Sequence, residues 1–164
     1  MPARLDAQHQ LHEAHAPRVP LSHEIEHLRT YVDLQRLRLD PDQVPITFDI
    51  EGDAHGHLIE PMLLIPFVEN AFKHGISFQH PSGIVLHLRV ADGGLTFIVH
   101  NHVFAPAPVA PAGAPPVGGV GLQNVRQRLR LLYPGRHALA LDRRETDFTA
   151  TLTLSFDHAP LPVS

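Results

Sequence analysis

Apolar residues recur along this chain with two periods, and the changes of period mark its elements. Leu21, Ile25, Leu28, Val32 and Leu39 fall on one side of a helix, with Tyr31 and Leu34 beside them. Ser22 is placed to cap this helix, Glu24 and Glu26 suit its first turn, and Pro41 and Pro45 end it. Ile46, Phe48 and Ile50 then alternate with polar residues, as in a strand. The stretch from Glu51 to Glu60 reads as a loop. Pro61 and Pro66 bracket the start of a second helix, where Pro66 is tolerable only in the first turn. Gly75 is expected to end that helix as its C′ residue.

Period two then returns. Ile84, Leu86, Leu88 and Val90 alternate with Val85, His87 and Arg89; Asp92-Gly93-Gly94 is a tight-turn signal; Leu95, Phe97 and Val99 alternate after it. This is a hairpin. Residues 102–118 carry Pro and Ala with no period, which predicts a mobile lid or binding loop. Helical spacing resumes from Gly119 to Tyr133, with Leu122, Val125, Leu129 and Leu132 on its apolar face, and Pro134-Gly135 stops it. Ala138 to Leu141 and Phe148 to Phe156 read as two more strands. The order predicts an α+β fold. It is a two-layer sandwich with a mixed, mostly antiparallel sheet covered by helices on one face. Residues 1–19 lack a sustained apolar stripe and are expected to be poorly ordered, and 159–164 form a tail.

Composition narrows the partners. A formal charge of -4 without a basic run argues against a nucleic-acid surface. No apolar run is long enough for a bilayer span and no signal-peptide pattern opens the chain, so a cytoplasmic location is expected. With no cysteine there are no disulfides or thiolate metal sites. The 14 histidines invite a metal site. His55-x-His57 and His100-x-His102 each put two rings on one side of a strand, and His23 and His27 are four apart on a helix. Nothing supplies an acidic partner at a convincing spacing, so the sequence favours surface histidines over zinc.

The densest chemistry lies in Ile65 to Gly75, IPFVENAFKHG. Asn70, Lys73 and His74 stand at i, i+3 and i+4, with Glu69 adjacent to Asn70 and four residues before Lys73. An amide, a base and a cation aimed at one spot suit a magnesium-bound polyphosphate; the same residues also suit the solvated side of an amphipathic helix. Gly119-Val120-Gly121-Leu122 opens a later helix, where backbone N–H groups can meet phosphate. A lone GxG is weak evidence, and no P-loop is present. Arg130 reads as solvating its helix, while Arg126 and Arg128 could reach a nucleotide or do the same.

Taken in order, these segments resemble the GHKL superfamily of ATP-binding domains. More narrowly they resemble the C-terminal catalytic domain of LytS-type sensor histidine kinases. VPLSHEIEHLRTYVDLQRLRL is similar to the last helix of that family's dimerisation region, IEPMLLIPFVENAFKHGI to its N box, and GGVGLQNVRQRLRLLYPG to its second glycine box and the helix after it. The resemblance covers roughly residues 19 to 156. It implies a dimerisation remnant over 20–40 and a catalytic domain over 41–158 with a lid at 102–118. It further implies ATP and Mg2+ as ligands, a response regulator and the dimerisation region of a kinase as partners, and a homodimer if the remnant helix mediates one.

Carried over by position, Asn70 matches the asparagine that holds magnesium, and Glu69 the adjacent acid that orients water or the acceptor. Lys73 and His74 match residues near the phosphates and ribose. Gly119, Gly121 and the adjoining Leu122 match the phosphate cradle. Asn101 falls where the family has the aspartate of an Asp-x-Gly box, which reads the adenine amino group. Here the chain has His100-Asn101-His102-Val103 instead. An asparagine oxygen still accepts a hydrogen bond, about half as strong as a charged one. The family's phosphoacceptor histidine, in a Pro-His-Phe context, is absent, and His9, His12 and His15 stand in unrelated contexts. The implied activity is transfer of the ATP γ-phosphoryl to a histidine outside this chain. The alternative is a degenerate, nucleotide-responsive binding module without kinase activity. A third reading, a serine kinase acting on an anti-sigma antagonist, fits the helix before the N box poorly.

Overall fold

The computed structural model describes residues 17–104 and 119–156. Strand β1 (Val19–Pro20) leads into helix α1 (Leu21–Arg36), then β2 (Ile46–Glu51), β3 (Leu58–Ile59), α2 (Ile65–His74), β4 (Ile84–Ala91), β5 (Gly94–His102), α3 (Gly119–Leu132), β6 (His137–Arg143) and β7 (Asp147–Ser155). Five strands form one sheet in the order β2-β4-β5-β7-β6. β2 runs parallel to β4, and the other pairs are antiparallel. β1 and β3 make a separate two-stranded pair. This is the mixed, mostly antiparallel sheet and helix layer expected from the periodicity.

The alternation built the sheet as read. Ile84, Leu86, Leu88, Leu95, Phe97, Val99, Ala150, Leu152 and Leu154 all turn to the buried face. They meet Phe67, Val68, Ala71 and Phe72 of α2 and Leu122, Val125 and Leu129 of α3 in one core. Each of these side chains larger than alanine contributes roughly 1.5–3 kcal/mol by leaving water. The hairpin turn is Asp92-Gly93, with φ of 53° and 73°. Positive φ at both central residues marks the type I′ turn that matches strand twist.

Three expectations change. Ser22 does not cap α1: Pro20 holds the cap position, and the Leu21 amide instead donates to the His57 carbonyl at 2.9 Å. A distant loop thus does what a local hydroxyl was expected to do. The segment 51–60 is not all loop, because Leu58 and Ile59 pair with Pro20 and Val19. Gly75 does not adopt the left-handed C′ conformation, since its φ is -96°. Its glycine has another cause, taken up below. Leu21, Leu28 and Val32 of α1 are fully buried within the same core as the sheet. The expected lid falls largely on 105–118, and the N-terminal segment and tail on 1–16 and 157–164. These lie outside the described residues.

A buried clamp fixes α1 against the approach to α2. The Met62 amide donates to Glu24 Oε1 at 2.6 Å, and Glu24 is 3% exposed. Met62 itself has a φ of 60°, uncommon for a residue with a side chain. Arg128 of α3 donates to the Pro61 carbonyl at 2.7 Å and the Met62 carbonyl at 3.0 Å. Arg128, left open between nucleotide and solvent, therefore ties α3 to this turn.

Candidate functional site

The helix α2 starts where its sequence demands. Pro66 occupies the first turn, where its missing N–H costs nothing, and Lys73 and His74 fall in the last turn, where cations favour the helix dipole. Ile65, Phe67, Val68, Ala71 and Phe72 face the core, which leaves Glu69, Asn70, Lys73 and His74 on the solvent side. They form two ridges rather than one spot. Glu69 and Lys73 line a cleft of about 390 Å³ with Tyr31, Gln35 and Arg38 of α1 and its C-terminal extension. That size falls within the range of small-molecule pockets. Burial and then the Glu69 charge push the Tyr31 phenol up, with Arg38 opposing them.

Asn70 and His74 lie one turn apart on the neighbouring ridge, outside the lining of that cleft. Burial holds the His74 imidazole below its ordinary value, helped by the charges of Lys73 and Arg143. The end of α2 therefore faces a cationic neighbourhood that includes the last residue of β6. An anion placed there would relieve all three groups at once.

Asn101 lies beside this helix end. Along β5 it follows Leu95, Phe97 and Val99 on the inward face, and it is fully buried. Its Nδ2 donates to the His102 carbonyl at 2.8 Å. Its Oδ1 is buried with no hydrogen-bond partner among the described residues. A buried acceptor left unmet costs roughly 1–3 kcal/mol. Gly75 explains how Asn101 comes so close: a Cβ at position 75 would stand 2.6 Å from both the Asn101 Cβ and the Ala71 carbonyl oxygen. The glycine is there for backbone approach, not for a left-handed turn.

The other cradle residues open α3. Gly119 has a φ of 71°, which favours glycine, and a Cβ at Gly119 or Gly121 would meet nothing within 4 Å. The first amides of a helix have no intrahelical acceptor, which is what an anion site uses. Leu122 instead is buried and belongs to the core. Helix α3 packs on α2, so both candidate elements share one layer of the fold. The sequence pattern missed Arg143, whose role depends on where β6 ends relative to α2.

The residues present fit Mg-ATP by their chemistry. Asn70 offers a partly exposed amide oxygen, a hard ligand suited to magnesium. Asn101 offers the acceptor an exocyclic amine would need, and Lys73 and Arg143 supply positive charge beside the His74 imidazole.

No protein-family model matches the chain. The sensor protein LytS of Oceanobacillus iheyensis is 28% identical over 121 residues, which cover 68% of this chain and 20% of that protein. An uncharacterized sensor-like histidine kinase of Staphylococcus epidermidis is 31% identical over 90 residues, 55% of this chain and 17% of that protein. The chain thus spans about a fifth of the length of these relatives. Among solved structures, the catalytic domain of histidine kinase ThkA superposes with a TM-score of 0.53 at 15% identity, covering 85% of this chain and 94% of that one. Full-length ShkA in complex with AMPPNP superposes with a TM-score of 0.59 at 20% identity, covering 89% of this chain and 32% of that one. Among the described residues no helix is long and apolar enough to cross a membrane. Relatives and architecture agree: the chain is similar in sequence to LytS-type sensor proteins and has the fold of the histidine kinase catalytic domains.

Proposed function

We propose that this chain is the ATP-binding catalytic domain of a two-component sensor histidine kinase. The observation that carries the reading is the buried Asn101 Oδ1, unpartnered among the described residues and held against the glycine that ends α2. In this reading Asn101 accepts from the adenine amino group. Asn70 offers its amide oxygen to magnesium, and Glu69 orients the acceptor histidine or a water molecule. Lys73 and His74 neutralise phosphate charge, and the amides at Gly119 and Gly121 cradle the phosphates. Magnesium, when bound, would supply charge neutralisation at the phosphates. The protein's part is positioning and electrostatic stabilisation, which is most of what phosphoryl transfer requires. The γ-phosphoryl goes to a histidine on a dimerisation region outside this chain, for relay to a response regulator.

Calorimetric titration with ATP, with and without Mg2+, tests the pocket. Magnesium-dependent binding is expected, and Asn70→Ala should remove the magnesium dependence. Unchanged affinity in that variant would sink the assignment of Asn70. Mixing the chain with a dimerisation region and labelled ATP tests the transfer. Label on the added histidine supports the kinase. Binding without transfer would favour the nucleotide-responsive module.

A further inference from the structure

Asn101 reads the inner face of the sheet, and its two neighbours occupy the outer one. His100 and His102 project there from β5, and the sheet register sets Asp147 of β7 directly opposite His102. The diagonal neighbour across that pair is His100, within reach of long side chains. The sequence offered no acidic partner for His100-x-His102 because Asp147 is 45 residues beyond His102 along the chain. Strand pairing supplies it. One ligand atom from each residue lies within 4.8 Å of the others.

The geometry points to a divalent transition-metal site of the zinc class at His100, His102 and Asp147. His100 Nε2 stands 3.4 Å from Asp147 Oδ1. Two ligands on a tetrahedral zinc with bonds of about 2.0–2.1 Å are about 3.3–3.4 Å apart, so this pair already has the spacing of a shared ion. His102 is exposed, and rotation of its side chain brings in the third donor. The supporting groups are in place. His100 Nδ1 lies 2.8 Å from Thr149 Oγ1. With Nδ1 as the donor, the Nε2 lone pair is free for metal. Thr146 Oγ1 donates to Asp147 Oδ2 at 2.9 Å, which turns Oδ1 toward His100. Two imidazoles and a carboxylate suit zinc and leave one position open to solvent. The site lies on the opposite side of β5 from Asn101, since successive side chains alternate. It does not depend on nucleotide binding.

Titration of the full chain with Zn2+ by calorimetry, and with Co2+ by visible absorption, tests this. One equivalent should bind, with the intense cobalt absorption of low-symmetry coordination. His102→Ala and Asp147→Ala should each weaken binding by on the order of tenfold or more. The double variant His55→Ala/His57→Ala should bind as the parent does. Circular dichroism melts establish that the variants fold, and the exposed His102 position carries the test if Asp147→Ala does not. No Zn2+ binding by the parent would overturn the proposal. So would parental affinity in His102→Ala, with loss in the His55/His57 variant.

Discussion

Glu24 and Asn101 are both buried polar side chains at junctions between a helix and the rest of the fold, yet they are used in opposite ways. Glu24 spends one oxygen on the Met62 amide, within a turn that Arg128 also grips from α3. Its other oxygen has no hydrogen-bond partner among the described residues. Asn101 has only one acceptor oxygen, and that is the one unpartnered among the described residues; its amide nitrogen bonds the adjacent His102 carbonyl. Glu24 finds its partner within the chain and so serves as a clamp. The Asn101 acceptor finds no partner among the described residues, which leaves it to the base amine in the proposed function. Burial alone does not separate structural from functional polar groups; the destination of each donor and acceptor does.

The comparison breaks most severely at Gly75. In Gly75→Ala the new methyl meets a backbone oxygen on one side and Asn101 on the other, and neither can rotate away. A loss of roughly 1–3 kcal/mol is expected from overpacking. Melting temperature and ATP affinity should fall together, because the methyl displaces the very residue proposed to read the base. A variant that melts and binds like the parent would show that the helix end can shift at little cost.

Glu24→Ala tests the clamp. It strands the Met62 amide and should cost roughly 1–3 kcal/mol, read from urea midpoints. ATP affinity should stay within about twofold if the clamp is only structural. Arg128→Met, which frees two carbonyls closer to solvent, should cost roughly 1 kcal/mol. A selective loss of nucleotide binding in Arg128→Met would return that residue to the site. Asn101→Ala should do the reverse of Glu24→Ala: stability moves by less than about 1 kcal/mol while ATP affinity falls by on the order of tenfold. Equal affinity in Asn101→Ala would remove the observation on which the functional reading rests. Asn101→Asp sharpens the point. A carboxylate should hold the adenine amine more tightly, yet it loses the donor that meets the His102 carbonyl.

Part of this was legible in the sequence. The run Leu95, Phe97, Val99, Asn101 puts an amide at the fourth inward position of an apolar series, and such a break in a consistent pattern marks function or strain. The alternation of β4, β5 and β7 and the helical spacing of α2 and α3 carried the fold class for the same reason, since each is a local period. What sequence could not show were pairings between distant residues. The His57 carbonyl replaces the expected Ser22 cap, Glu24 holds an amide 38 residues away, and Asp147 meets His100 and His102 only through register. Gly75 was read from the commonest use of a glycine after a helix; its actual constraint is a strand that passes behind it.

The smallest expected effect is the most specific to the site. His74 is held below its ordinary value of 6.5, first by burial and then by Lys73 and Arg143. The unfolded chain therefore binds more protons than the folded one as pH drops below 6.5, so the His74 contribution is intact above that pH and lost as pH falls toward the lowered folded value. The urea midpoint of the parent should drop more between pH 7 and pH 5 than that of His74→Gln. In Lys73→Met the imidazole should titrate higher, since one repelling charge is gone. Mg-ATP makes the sharper test. If phosphates lie beside Lys73 and His74, their negative charge outweighs the two cations and the His74 ring should titrate upward when nucleotide is added, followed by NMR. A ring whose titration ignores saturating Mg-ATP would place the phosphates away from this end of α2, and Lys73 and His74 would then be polar groups on the solvated side of a helix.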